Sequence, residues 1–191
     1  LMNNNFLVGR KLPNFNLKTT KRDILTDSDL IGNRNIIFIY PKNDTSSCTK
    51  ENLTFSENVK EFKKLKINVF GLSKDSIESH IKFTNKYKLE VELISDPNIH
   101  LITQLGSWVK KSMYGKEYMG VERSTFLIDE DNTISKIWRK VKVRSKIANN
   151  LSLFDKFDVP EGDSPETVAY KVYGSTDYFW VVCLLNNVVN R

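Results

Sequence analysis

The stretch Asn35-Ile-Ile-Phe-Ile-Tyr40-Pro41-Lys-Asn-Asp-Thr45-Ser-Ser-Cys48-Thr-Lys-Glu51 decides the fold, because it joins a predicted strand to a predicted helix. Residues 35–40 form a compact apolar run rich in β-branched and aromatic side chains, which predicts a buried strand that ends at Pro41. Apolar residues then recur at helical spacing, namely Phe55, Val59, Phe62 and Leu65. Cys48 is therefore predicted to lie in the first turn of a helix.

That position makes Cys48 a candidate nucleophile. Unpaired backbone N–H groups and the positive end of the helix dipole stabilise a thiolate at a helix N-terminus. The alternative is a buried structural thiol, which is the commoner fate of a free cysteine. Its neighbours are small and hydroxylated and can donate hydrogen bonds to a thiolate, namely Thr45, Ser46, Ser47 and Thr49. We therefore predict a reactive thiol.

Pro41, Thr45 and Cys48 form the pattern Pro-x-x-x-Thr-x-x-Cys, which resembles the active-site motif of peroxiredoxins. The resemblance extends to Val8-Gly-Arg-Lys-Leu-Pro13-Asn-Phe15, similar to the opening segment of that family. Tyr114-Gly-Lys-Glu-Tyr-Met-Gly-Val-Glu122-Arg123-Ser-Thr-Phe-Leu-Ile-Asp129 resembles the bacterioferritin comigratory protein branch, also called peroxiredoxin Q. The resemblance covers about residues 8–143 and implies an α/β fold with a thioredoxin-like sheet flanked by helices.

The resemblance also implies an activity, the thiol-dependent reduction of hydrogen peroxide and alkyl hydroperoxides. In the family, the cysteine attacks a peroxide oxygen and becomes a sulfenic acid. The family's donors to the departing oxygen are the cysteine's own N–H, a threonine hydroxyl and an arginine, which correspond here to Cys48, Thr45 and Arg123. Pro41 is expected to shield the cysteine, and it has no N–H to misdirect a proton.

Two of these assignments have plainer alternatives. Arg123 stands at the start of a predicted strand, where an ordinary arginine would be a solvated charge paired with Glu122 or Asp129. Glu51 lies in the same helical turn as the cysteine and is expected to hold the arginine in place. The alternative for Glu51 is that a glutamate near a helix N-terminus simply stabilises the helix.

The reduction of the sulfenic acid is expected to need an external thiol. A thioredoxin-type redox motif has a second cysteine three residues from the first, but Thr45 and Glu51 occupy those positions. Many peroxiredoxin Q proteins carry a resolving cysteine five residues after the first, and that position is Leu53 here. We therefore expect a one-cysteine enzyme that uses thioredoxin, glutaredoxin or glutathione. Cys183, in an apolar helical stretch, is the only internal candidate for a resolving thiol.

Composition excludes several other classes of protein. The chain has 191 residues, of which 40% are hydrophobic and 27% charged, and no apolar run approaches the roughly 20 residues of a membrane span. The N-terminus has no signal-peptide pattern, and two cysteines without a framework are typical of a reducing compartment. We therefore expect a cytoplasmic protein without a membrane partner, either a monomer or a weak dimer.

The charged residues and histidines argue against two further kinds of partner. The net charge is +6, but lysines are interleaved with acids as on the solvated face of a helix, so we expect no nucleic-acid partner. His80 and His100 stand alone on predicted helices without a third ligand at metal-site spacing. We expect no metal and no cofactor.

The order of the predicted elements is that of an α/β protein. Strands are predicted at residues 35–40, 67–72 and 91–95, and helices at residues 47–65, 76–86 and 98–105. Two further strands, at residues 125–128 and 133–138, are joined by a turn and close the sheet as a hairpin.

The last part of the chain is not explained by the peroxiredoxin resemblance. Asp163-Ser-Pro-Glu166 predicts a helix start, and Gly174 predicts its end before a second helix. A strand followed by two helices resembles part of a LysM-like module. Ser164-Pro-Glu-Thr-Val-Ala-Tyr170 and Trp180-Val-Val-Cys-Leu-Leu-Asn186 resemble a baseplate wedge subunit of contractile-tailed phages. We therefore predict two domains, residues 1–143 and a helical appendage at residues 144–191.

Three interpretations of that appendage stay open. It is a fused interaction module, a helical extension of the family, or the product of a chimeric or truncated gene. The competing hypothesis for the whole chain is a non-catalytic structural or assembly protein in which the C-terminal module carries the role.

Overall fold

Strands and helices alternate along the part of the chain that the structure, a computed structural model, describes: residues 7–113 and 116–139. The strands in these residues are β1 (Asn16–Thr19), β2 (Leu25–Thr26), β3 (Arg34–Ile39), β4 (Ile67–Ser73), β5 (Glu92–Ser95), β6 (Trp108–Met113), β7 (Lys116–Val121), β8 (Ser124–Ile128) and β9 (Ile134–Arg139). The helices are α1 (Ser46–Lys64), α2 (Ile77–Tyr87) and α3 (His100–Gln104), with a short 3-10 helix at Asp27–Leu30.

Seven of these strands form one mixed sheet in the order β2-β1-β5-β4-β3-β8-β9. The three strands β3, β4 and β5 run parallel, whereas β8 pairs antiparallel with β3, and β9 antiparallel with β8. Among the described residues, β6 and β7 pair with each other as a separate antiparallel ribbon. The predicted α/β order with a closing hairpin is confirmed.

The central strand β3 is buried on both faces. Ile37 and Ile39 point into a core that also contains Leu101 and Ile102 of α3. Because side chains alternate along a strand, Phe38 points to the opposite face, where its ring stacks on Phe55 of α1 with 4.1 Å between the ring centroids. The continuous apolar run that predicted this strand is therefore typical of a strand covered on both sides.

Gly71 makes room for the Phe38 ring. The two residues are register partners in β3 and β4. A Cβ atom at Gly71 would lie 2.8 Å from the Phe38 ring and 2.7 Å from a methyl group of Leu93. A close approach of this kind, rather than a turn, explains a glycine in the middle of a buried strand.

Four strands were not predicted from the sequence. The strands β1 and β2 are short, and β6 and β7 carry several lysines, so neither pair shows the apolar pattern of a buried strand. These segments gain their strand structure from pairing with each other, and β1 also from pairing with β5.

Several predictions lie outside the described residues. They are the helical appendage at residues 144–191, its likeness to a LysM-like baseplate subunit and the role of Cys183. The described residues belong to a compact unit that spans Leu1–Val143. Within residues 7–113 and 116–139, no helix has both the length and the apolar character needed to cross a bilayer.

The packing around Gly71 yields a stability prediction. Gly71→Ala is expected to lower the free energy of unfolding by about 1–3 kcal/mol, because the added methyl group overlaps the Phe38 ring. Urea denaturation measures this change. Gly120→Ala is the matched control, since its Cβ would lie 3.3 Å from the exposed Tyr118 ring, which is able to move. Equal midpoints for the two variants would contradict the prediction.

Candidate active site

Cys48 lies in the first turn of α1, as predicted. The chain leaves β3 at Ile39 and enters α1 at Ser46, with Thr45 as the N-cap residue in an extended conformation. The Cys48 side chain is buried, and the residue is 2% exposed. The sulfur therefore combines a helix N-terminus with a site that excludes most water.

Arg123 reaches the sulfur from a neighbouring strand. It precedes Ser124, the first residue of β8, and Ser124 pairs with Ile39 at the end of β3. The start of β8 is thus held beside the start of α1. The Nη2 atom of Arg123 donates a hydrogen bond to the Cys48 Sγ atom at 3.2 Å.

The same guanidinium binds Glu51. Its Nη1 atom donates a hydrogen bond to the Glu51 carboxylate, and the two groups form a salt bridge. The side chains of Arg123 and Glu51 are 14% and 6% exposed, so this ion pair lies out of bulk water. The alternative pairing of Arg123 with Glu122 or Asp129 is not what the structure shows.

Comparisons with known proteins show which family the chain belongs to. Residues 8–137 match the model of the AhpC/TSA family. The chain is 43% identical over 141 residues to a putative peroxiredoxin bcp of Coxiella burnetii, which covers 74% of this chain and 93% of that relative. This chain belongs to the AhpC/TSA family.

Two further matches indicate the branch of the family to which the chain belongs. Peroxiredoxin Bcp of Bacillus subtilis is 39% identical over 144 residues, or 75% of this chain and 92% of the relative. A solved structure of Xanthomonas campestris peroxiredoxin Q has a TM-score of 0.65 at 36% identity and covers 68% of this chain and 82% of its own. The chain is therefore a peroxiredoxin of the Bcp or peroxiredoxin Q branch, a thiol-dependent peroxidase with the predicted thioredoxin-like fold.

Burial and charge act in opposite directions on the two ionised groups of this peroxiredoxin. Burial raises the pKa of the Glu51 carboxyl to about 7, and the charge and hydrogen bond of Arg123 offset only part of that rise. Burial also works against a charged guanidinium, but the Glu51 and Cys48 charges outweigh it and raise the pKa of Arg123. Arg123 therefore stays charged, while Glu51 changes its protonation near neutral pH.

Pro41 and Thr45 precede the buried thiol along the chain. Thr45 is exposed, and its side chain makes no capping hydrogen bond to the helix, so its hydroxyl does not serve α1. Pro41 is half-buried at the start of the loop that leads to Cys48. Ser46 and Ser47 are exposed, and the hydrogen bond shown at the sulfur comes from Arg123.

Asn52 is a further residue of this site, and no motif in the sequence pointed to it. This residue is buried one turn after Cys48, and its Nδ2 atom donates a hydrogen bond to the Cys48 carbonyl oxygen at 2.9 Å. The signal that was available is a short polar side chain at the fourth position after the cysteine, on the side of α1 that packs against the sheet. The Asn52 side chain thus stabilises the first turn of α1 by binding the backbone of Cys48.

Cys48 is the free cysteine of the described residues. Leu53, five residues after Cys48 on the same helix, is half-buried. His80 is buried in α2 and His100 is exposed in α3. Within the described ranges, no three residues among histidine, cysteine, aspartate and glutamate are grouped to hold a metal ion.

The raised pKa of Glu51 has a consequence for stability. Because that pKa is about 7 in the folded protein against an ordinary value of 4.5, folding favours the protonated carboxyl. The contribution of Glu51 to stability is therefore full below pH 4.5 and is lost as the pH rises through about 7. From about pH 5 to about pH 8.5 this loss amounts to about 2–3 kcal/mol.

Urea denaturation of the wild type and of Glu51→Gln across that pH range measures the effect. The other titrating groups are common to both proteins, so the difference between the two curves isolates Glu51. We expect the wild type to lose stability relative to Glu51→Gln steadily as the pH rises from about 5, and the loss to level off above about pH 7. Parallel curves would show that Glu51 does not titrate there.

Proposed function

We propose that this peroxidase reduces hydrogen peroxide and alkyl hydroperoxides through Cys48, in a one-cysteine cycle. The observation that carries the proposal is the hydrogen bond from Arg123 to the Cys48 sulfur within a buried helix N-terminus. The Xanthomonas campestris bacterioferritin comigratory protein, 35% identical to this chain, is described as having alkyl peroxide reduction activity. That relative supports the same substrate class here.

In the first half-reaction, the Cys48 thiolate attacks one oxygen of the peroxide. A sulfur–oxygen bond forms as the oxygen–oxygen bond breaks, and the electron pair of the broken bond stays with the leaving oxygen. That oxygen takes a proton and departs as water or as an alcohol. Sulfur is oxidised to a sulfenic acid, and the peroxide is reduced.

Three donors act on the charge that moves in this step. Arg123 stabilises the thiolate and then the negative charge that builds on the leaving oxygen. The backbone N–H of Cys48, in the first turn, has no partner within the helix. The Thr45 hydroxyl, which is not used in capping, donates to the peroxide. Pro41, at the start of the loop before α1, shields the thiol.

Glu51 is a positioning residue in this proposal. It takes one side of the guanidinium and thereby directs the other side at the sulfur. Arginine suits this double role because its planar fork presents several donors in fixed directions.

The second half-reaction uses an external thiol, with thioredoxin, glutaredoxin and glutathione as the candidates. The thiol attacks the sulfenic sulfur, releases water and leaves a mixed disulfide, which a second thiol resolves. Leu53 supplies no resolving thiol on α1. Cys183 is the alternative internal partner. A cytoplasmic location, where such thiols are kept reduced, fits the cysteine content of the chain.

The peroxiredoxin relatives do not support the competing hypothesis of a non-catalytic assembly protein. The family match covers residues 8–137, and it leaves the three interpretations of residues 144–191 open. The absence of a nucleic-acid partner and the monomer or weak dimer stay predictions.

Peroxide consumption in the wild type, Cys48→Ser and Cys183→Ser tests the cycle. With dithiothreitol as reductant, Cys48→Ser is expected to show no turnover above background, because serine forms no comparable nucleophile. Cys183→Ser should retain activity. Turnover in Cys48→Ser would overturn the proposal, and a Cys183→Ser enzyme active with dithiothreitol but not thioredoxin would instead identify Cys183 as the resolving thiol.

Arg123→Lys tests the donor. Lysine keeps the charge but cannot hold both Glu51 and the sulfur, so kcat/KM for peroxide should fall by about 100-fold. Arg139→Lys is the matched control, because that half-buried arginine donates to the carbonyl oxygens of Leu105 and Gly106 rather than to the sulfur. Similar losses in both variants would show that Arg123 acts through the fold alone.

A further inference from the structure

A second buried polar cluster lies at the start of the loop that leads from β3 to α1 and Cys48. We call it the Asn43 cluster, and its members are Tyr40, Asn43, Ser73, Asp75, Ser79 and His80. Tyr40, Asn43, Ser73 and His80 are buried. The peroxidase chemistry proposed above uses none of these side chains.

Asn43 connects the loop to three parts of the fold. Its Oδ1 atom accepts a hydrogen bond from the Tyr40 hydroxyl at 2.7 Å, at the end of β3. Its Nδ2 atom donates to Ser79 Oγ at 3.0 Å and lies 3.2 Å from His80 Nδ1, both in α2. Its backbone N–H donates to Asp75 Oδ2 at 2.9 Å, in the segment between β4 and α2.

His80 is a suitable acceptor for Asn43. Burial lowers the pKa of His80 to about 4, although the Asp75 charge opposes this, so the imidazole is neutral at physiological pH. Its Nε2 atom lies 3.4 Å from Ser73 Oγ, and Ser73 Oγ in turn donates to Asp75. A proton on Nε2 leaves Nδ1 free to accept from the Asn43 amide.

The residue after Asn43 is also held. Asp44 has a left-handed backbone with φ of 57°, which costs free energy unless neighbouring contacts maintain it. Its carboxylate accepts hydrogen bonds from Lys86 and Tyr87 at the end of α2. Thr45 follows as the N-cap residue of α1. Contacts with α2 therefore hold the backbone of the loop in place immediately before α1, the helix that carries the thiol.

We propose that Asn43 is a positioning residue for Cys48. By anchoring the loop to α2, it sets where α1 begins and so keeps the sulfur at 3.2 Å from Arg123 Nη2. This inference rests on the proposed function, because it concerns the geometry of the same peroxide reaction.

The two half-reactions place opposite demands on this anchor. The peroxide step needs the sulfur held against Arg123, where a displacement of about 1 Å can cost about 100-fold in rate. The reductive step needs the sulfur accessible to a second thiol, yet Cys48 is only 2% exposed, so the first turn of α1 must open. A loosened anchor therefore slows the first step without slowing the second. A general loss of stability, in contrast, is not expected to change the rates of the two steps in different ways.

Asn43→Ala in a Cys183→Ser background tests the proposal. The single remaining thiol allows rapid quenching and intact mass spectrometry to follow sulfenic acid formation with hydrogen peroxide, and then its reduction by dithiothreitol. We expect the rate constant for sulfenic acid formation to fall about tenfold or more. The rate constant for reduction should be unchanged or higher.

Asn35→Ala is the matched control. Asn35 is equally buried, on β3, and donates to the carbonyl oxygens of Leu30 and Asn33, at the end of the strand remote from Cys48. It should lower the urea midpoint yet leave both rate constants within about twofold of the parent. Tyr40→Phe is a milder variant that removes one hydrogen bond to Asn43, and a loss of about threefold confined to the peroxide step is expected.

Several outcomes would overturn the proposal. They are a peroxide step in Asn43→Ala within about twofold of the parent, or a parallel fall of both rate constants in that variant and in Asn35→Ala. If Asn43→Ala does not fold, unchanged rate constants in Tyr40→Phe overturn it. A parent protein that forms no sulfenic acid would instead refute the proposed function, and the positioning role with it.

Discussion

The antiparallel pairing of β8 with β3 is the constraint on which the active site depends. Ser124 lies opposite Ile39, so the residue before Ser124 stands beside the point where the chain leaves the sheet for α1. Side chains alternate along a strand, and a shift of one residue in this pairing would direct Arg123 to the other face. Cys48 and Glu51 are three residues apart on α1 and share a face, so one guanidinium in that place reaches both.

Burial strengthens the electrostatic interactions of this arrangement, but it also makes the charged groups costly to remove from water. Removing Glu51 and Arg123 from water is costly, and at Glu51 the direct ion pair offsets only part of that cost. The same dry surroundings make Arg123 a stronger electrostatic partner for the sulfur than it would be in water. They also hide the sulfur from large molecules. A small peroxide can therefore react with the buried sulfur, whereas a bulky thiol reductant needs the sulfur to become exposed. The loop before α1 affects both steps, because it controls how firmly the first turn of α1 is held.

Local patterns were sufficient for the elements that carry the site. The strand predicted at residues 35–40 is Arg34–Ile39, and the helix predicted at residues 47–65 is Ser46–Lys64. Both depend on short-range preferences, namely β-branched and aromatic residues, a proline break and a helical repeat. The ribbon of Trp108–Met113 with Lys116–Val121 has no such pattern, because its strands are rich in polar residues and are stabilised by each other.

The sequence by itself determined that a cysteine stands in the first turn of a helix after a buried strand, since each feature involved is local. Only the tertiary structure decided what faces that cysteine and what holds its loop. Arg123 is 75 residues away from Cys48 along the chain. It forms its ion pair with Glu51 rather than with the adjacent Glu122 because strand pairing places it beside α1. His80, which in the sequence is only an isolated histidine on a predicted helix, is buried against Asn43. Contacts between distant segments depend on register and packing, and no local pattern of residues encodes these.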